Sequence, residues 1–181
     1  MKKMILAATA LVAVAAATPA AAQNAATKAV AADPRATAGA RLIKPLTLTA
    51  NRGLNFGTIV MGTISGDQVV SIDGAGVVTC GASGGGLTCT NTAAATAASA
   101  SYSVTGTQGQ VVLITAAPTS LTTTNGAGGT LTLTPKAPDK LTLGNSGAAG
   151  NSFTVGGSIT INSSTIDGVY AGEVDVQVAY Q

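Results

Sequence analysis

The chain contains no histidine. That removes the Ser-His-Asp and Cys-His pairings that activate a nucleophile near neutral pH, together with the commonest nitrogen ligand for a metal. Gly81-Ala82-Ser83-Gly84-Gly85 fits the G-x-S-x-G spacing of a nucleophile elbow, but that motif needs a strand-to-helix turn and a base. Here it sits in a glycine-rich stretch between two cysteines. The carboxylates Asp67, Asp73, Asp139, Asp167, Glu173 and Asp175 are scattered, mostly beside Gly or Lys. No segment places oxygen-bearing residues at the alternate positions of a calcium loop. The expectation is a non-enzyme with no catalytic, cofactor-binding or metal-ligating residues.

Cys80 and Cys89 are the only cysteines, and they enclose Gly81–Thr88. Their chemistry depends on the compartment, which the N-terminus indicates. Lys2 and Lys3 precede an apolar stretch reaching about Ala17, and Thr18-Pro19-Ala20-Ala21-Ala22-Gln23 offers an Ala-x-Ala cleavage site before Gln23. The apolar stretch falls short of the roughly 18–20 residues that span a bilayer. Residues 1–22 therefore read as a signal peptide, and the mature chain is expected in the periplasm, at the cell surface or outside the cell, with no transmembrane segment. In an oxidising compartment two such cysteines form a disulfide. Closing this short loop is expected to make a stapled hairpin and to contribute about 2–3 kcal/mol.

Removing Lys2 and Lys3 leaves equal numbers of basic and acidic residues, so the basic balance of the whole chain gives no support to nucleic-acid binding. Charge is uneven along the mature chain. Lys28, Arg35, Arg41, Lys44 and Arg52 crowd the N-terminal stretch, while all acids but Asp33 lie beyond it.

The elements that would carry any function read as strands. There are 23 glycines, aromatics make up 3%, and Thr, Val, Ile and Leu recur in short stretches between turn residues. Residues 23–39 read as a flexible N-terminal extension, and residues 40–181 as one β domain. Alternation predicts strands at 42–49, 54–59, 67–72, 76–80, 100–105, 110–116, 130–134, 140–143 and 152–161, with a last one at 168–180. Asp73-Gly74 and Asn125-Gly126 supply tight turns, and 91–98 reads as a loop. Pro45 lacks an N–H, which places the first strand at a sheet edge. This spacing implies an all-β, immunoglobulin-like Greek-key sandwich.

The C-terminal stretch is the most regular. Tyr170, Val174, Val176, Val178 and Tyr180 share one face, and Glu173, Asp175 and Gln177 the other. With Gly168 fourteen residues from the end and Tyr180 next to last, this resembles the C-terminal signature of chaperone–usher pilin subunits. The resemblance implies a pilin-like sandwich that is incomplete and is completed by strand addition. It also implies an assembly strand of Gly168, Tyr170, Val174, Val176, Val178 and Tyr180, and as partners neighbouring copies, other pilin-like subunits and a periplasmic chaperone.

More of the chain resembles the bacterial family catalogued as domain of unknown function 4402. The matching blocks are Pro45-Leu46-Thr47-Leu48, Leu54-Asn55-Phe56-Gly57-Thr58-Ile59, Tyr102-Ser103-Val104-Thr105-Gly106, Val155-Gly156-Gly157-Ser158-Ile159 and Gly168-Val169-Tyr170-Ala171-Gly172. That family implies secretion and a pilin-like sandwich, without an activity. Two functions remain open: a fimbrial, adhesive surface subunit, or a monomeric secreted module that binds carbohydrate or a cell surface.

Overall fold

A computed structural model describes residues 29–92, 95–147 and 149–181. The expected signal peptide, and residues 23–28 of the expected extension, lie outside the described residues. The chain divides into two units, Met1–Ala40 and Arg41–Gln181. In the first, residues 29–40 are exposed and carry neither strand nor helix.

The second unit is built from strands. In chain order they are β1 (Thr47–Arg52), β2 (Thr58–Met61), β3 (Gln68–Ile72), β4 (Val78–Cys80), β5 (Leu87–Thr90), β6 (Ala100–Thr105) and β7 (Val111–Ala117). There follow β8 (Thr119–Thr123), β9 (Thr130–Lys136), β10 (Lys140–Thr142), β11 (Ser152–Ile161), β12 (Tyr170–Ala171) and β13 (Asp175–Tyr180). Every pairing is antiparallel. One large sheet runs β1-β6-β11-β9-β8-β12, with β3 and β4 attached through β11. A second sheet has the order β10-β7-β13, and β2 and β5 form a pair of their own.

Strand β11 organises the large sheet because it is long enough to hold three partners. It pairs with β6 along Ser152–Val155, with β3 along Gly157–Ile161 and with β9 along Gly156–Ile159. Since β3 and β9 claim the same residues, they lie on opposite edges. A side chain at Gly156 would stand 2.2 Å from the carbonyl oxygen of Ile72, so glycine permits the close approach where β3 ends.

Period-2 alternation decides what each strand buries. In β9, Leu131 and Leu133 point inward between exposed Thr130, Thr132 and Thr134. Tyr102 and Phe153 stack with ring centroids 5.4 Å apart, in a cluster with Ile114, Val176 and Val178. That cluster joins the large sheet to β10-β7-β13. Val70, Leu131, Leu133, Ile159 and Ile161 form another, against which Ile59 and Met61 of β2 and Leu87 and Cys89 of β5 pack. Two smaller sheets thus cover one face of the large one, making the all-β, sandwich-like fold expected of the immunoglobulin-like class.

Several local expectations are corrected. The segment 168–180 is not one strand: β12 pairs with β8 in the large sheet, and β13 pairs with β7 in the second. The chain crosses between sheets at Gly172–Val174, where a side chain on Gly172 would lie 2.8 Å from the Ser120 carbonyl oxygen. Inward-facing alternation survives the crossing because both strands turn the same side toward one core. Nor do Cys80 and Cys89 close a hairpin, for β4 pairs with β3 and β5 with β2. Strand β1 begins only at Thr47, past Pro45, and occupies an edge. Leu54–Phe56 makes a single bridge, Asn55 to Ala98, ahead of β2. Strands β5 and β8 lie in segments where no strand is expected from the sequence.

Candidate binding groove

Between β2 and the segment Thr165–Gly172 lies a cavity of about 710 Å³. Its floor is Leu121 of β8, Leu131 and Leu133 of β9, and Ile159 and Ile161 of β11. These floor residues are buried except Leu121, whereas the mouth carries Ile166 and Val169, 42% and 69% exposed. The floor of the cavity is apolar, and among the described residues Asp167 is the one charged residue that lines it.

One wall is set by the Leu54-Asn55-Phe56-Gly57 turn. The Asn55 side-chain oxygen accepts the Gly57 amide at 2.8 Å, and Gly57 adopts φ 77°. This bend turns Phe56 onto the floor cluster and starts β2 at Thr58. No residue of β5 lines the cavity, so it runs along the edge of β2 that β5 does not occupy. Among the described residues that edge has no strand partner, and its N–H and C=O groups are available to an added strand.

The other wall is pinned at both ends. The Tyr170 hydroxyl donates to the Ile166 carbonyl at 2.6 Å, and the Thr124 amide to the Val169 carbonyl at 2.8 Å. Asn162 caps the start: its amide donates to Thr165 Oγ1 at 3.0 Å, and its side chain donates to Asp67 at 3.2 Å. Val174, one residue ahead of β13, also lines the cavity.

The residues expected to form one assembly strand therefore divide between two places. Gly168 and Tyr170 belong to the groove wall. Val176, Val178 and Tyr180 lie on β13, share core clusters with residues of β6, β7 and β11, and line no part of the cavity. Val174 touches both clusters. Strand β13 pairs with β7 alone, so its other edge is also open among the described residues. Leu121, Ile166 and Val169 did not stand out from the sequence. The signal at Leu121, with Thr119 and Thr123 on the same face of β8, is faint because only one of the three is large and apolar.

Cys80 and Cys89 are joined, with Cα atoms 5.7 Å apart. The bond links β4 of the large sheet to β5 of the two-stranded pair. Ser83 is exposed in the loop between them, which leads from strand to strand. No group of three or more His, Cys, Asp or Glu among the described residues could hold a metal ion. Burial raises the Tyr102 phenol above its ordinary pKa; its hydroxyl donates to the Val174 carbonyl at 3.5 Å.

Fold and site together define an antiparallel, immunoglobulin-like sandwich with an apolar-floored groove along a strand edge that is unpaired among the described residues. The family model for a domain of unknown function, DUF4402, matches residues 46–180, and the chain belongs to that family. No curated protein and no solved structure matches it.

Proposed function

We propose that this protein is an exported, non-catalytic structural subunit, pilin-like in design, that assembles at the cell surface by β-strand addition. The observation that carries this reading is the groove: a cavity of about 710 Å³ with an apolar floor, bordered by the edge of β2 that is unpaired among the described residues. An extended segment laid there would gain main-chain hydrogen bonds from β2 and place alternate side chains toward Leu131, Leu133 and Ile161. The C-terminal likeness to chaperone–usher subunits supports the same reading, with neighbouring copies or other pilin-like subunits as donors and a periplasmic chaperone guarding the edge before assembly. A carbohydrate platform would need exposed rings. Phe56, Tyr102, Phe153, Tyr170 and Tyr180 all pack against core clusters instead.

The test is incubation of the oxidised protein with a peptide of its own residues 23–50, followed by light scattering and thermal melting. Binding that raises the melting temperature, and is weakened by Ile166→Asp, is the expected result. A monomer at every concentration, melting identically with and without peptide, would count against self-assembly and favour a monomeric secreted module.

A further inference from the structure

The β2–β5 wall is attached to the large sheet in an unusual way. Backbone hydrogen bonds within it are its own ladder, the Gly62–Gly86 bond at 2.8 Å and the Asn55–Ala98 bridge. Its side-chain bonds are equally local: Thr58 to Thr92, and Asn91 to the Ala97 amide. Among the described residues no hydrogen bond joins residues 57–62 or 87–92 to a strand of the large sheet. What holds the wall down is the packing of Ile59, Met61, Leu87 and Cys89, interrupted by the cavity on one side, the Cys80–Cys89 bond, and the grip of Gln68 of β3 on the loops beyond its ends, where it accepts the Ala82 amide and donates to the Ser65 carbonyl. A two-stranded ribbon has little stability by itself.

The β10-β7-β13 sheet differs. Tyr180 bonds the Thr107 amide and the Lys44 carbonyl, Thr119 Oγ1 bonds the Glu173 carbonyl at 2.7 Å, and Val112 and Ile114 are buried.

We infer that the Cys80–Cys89 bond is a redox latch: it holds the β2–β5 wall of the groove on the large sheet, and its reduction frees that wall while the remaining sandwich stays folded. Both cysteines are partly exposed, within reach of a dithiol. In the exchange, thiolates of the dithiol displace the two cysteine sulfurs in turn. Cys80 and Cys89 take up two electrons and two protons as thiols, and the dithiol closes to its own disulfide. The consequence that only the oxidised protein captures a strand rests on the function proposed above; release of the wall does not.

Hydrogen exchange read by mass spectrometry on the full chain, oxidised and then reduced with dithiothreitol without denaturant, tests the latch. A Cys80→Ser/Cys89→Ser variant is measured beside them. The expected result is at least a tenfold loss of protection in 58–62 and 87–90, with 111–117 and 175–180 unchanged. Equal protection of the wall in both redox states overturns the latch. Loss across all strands overturns it too, because the bond would then be a global staple. Titration of the 23–50 peptide into the oxidised protein is read separately. If the wall loosens on reduction but the peptide never binds, the latch stands and the strand-accepting role falls.

Discussion

The phenol oxygen of Tyr180 donates a 2.6 Å hydrogen bond to the carbonyl of Lys44 and accepts one of 2.8 Å from the amide of Thr107. The next-to-last residue thereby ties the segment ahead of β1 to the β6–β7 connection. The site is tightly built, since a side chain on Gly106 would lie 2.5 Å from that oxygen. Tyr180→Phe keeps the ring and removes both bonds. Because the surroundings are partly solvated, the expected cost is about 1–2 kcal/mol. In a domain of this size that lowers the melting temperature by roughly 2–8 °C. Calorimetry of the two proteins checks it, and an unchanged melting temperature would show the clamp to be energetically idle.

The sequence revealed the strands that obey one partner and one face. In β6, Ala100, Tyr102 and Val104 are buried while Ser101 and Ser103 are only partly so, and this alternation is readable without knowing the partner. It did not reveal where a strand changes sheet. Tyr170 and Val176 keep the same parity although they serve different sheets, because alternation records which way a side chain faces and not which edge its backbone pairs with. The cysteines illustrate the same limit. Proximity in sequence suggests a hairpin, yet pairing with β3 and β2 separates the two strands. The groove is an absence between elements, and no residue pattern announces an unpaired edge. Only Ile166 and Val169, apolar and exposed, mark its mouth.

Two glycines in the Cys80–Cys89 loop should respond differently to alanine. Gly84 has φ 78° and nothing within 4 Å of a would-be Cβ, so Gly84→Ala meets only the left-handed backbone penalty, roughly 1–2 kcal/mol. Gly86 has a similar φ of 82°, but its Cβ would fall 2.0 Å from the Thr63 carbonyl oxygen. That neighbour is backbone and cannot swing aside. Gly86→Ala is therefore expected to cost about 2–4 kcal/mol in total. Urea midpoints rank the two, and equal midpoints would mean that the loop relaxes away from Thr63.

Floor and mouth of the groove separate stability from binding. Leu133 is 1% exposed, and Leu133→Ala should destabilise by about 2–5 kcal/mol through lost contacts and an enlarged cavity. Ile166, at 42% exposed, has less to lose, so Ile166→Ser should change stability by about 0.5 kcal/mol or less. The same substitution should weaken binding of the 23–50 peptide several-fold. Denaturant titration and peptide titration on both variants check the contrast. Full affinity in Ile166→Ser would remove the mouth from the binding surface.

Alkaline stability should trace to Tyr102. Its ring is stacked on Phe153 and 7% exposed, and burial lifts its pKa above the ordinary value near 10. Desolvation disfavours the phenolate, so the folded protein keeps this proton at a pH where the unfolded chain has released it. With fewer protons bound in the unfolded state, stability falls as pH rises. The contribution is complete below about pH 10 and is lost as pH climbs toward the folded value. Tyr102→Phe preserves the stack and removes the ionisation, and the hydroxyl contact it forfeits is a long one, 3.5 Å to the Val174 carbonyl. The two proteins should thus have nearly equal urea midpoints at pH 7, while at pH 11 the variant should unfold at the higher urea concentration. Parallel decline of both midpoints between those pH values would place the alkaline sensitivity elsewhere than in this ring.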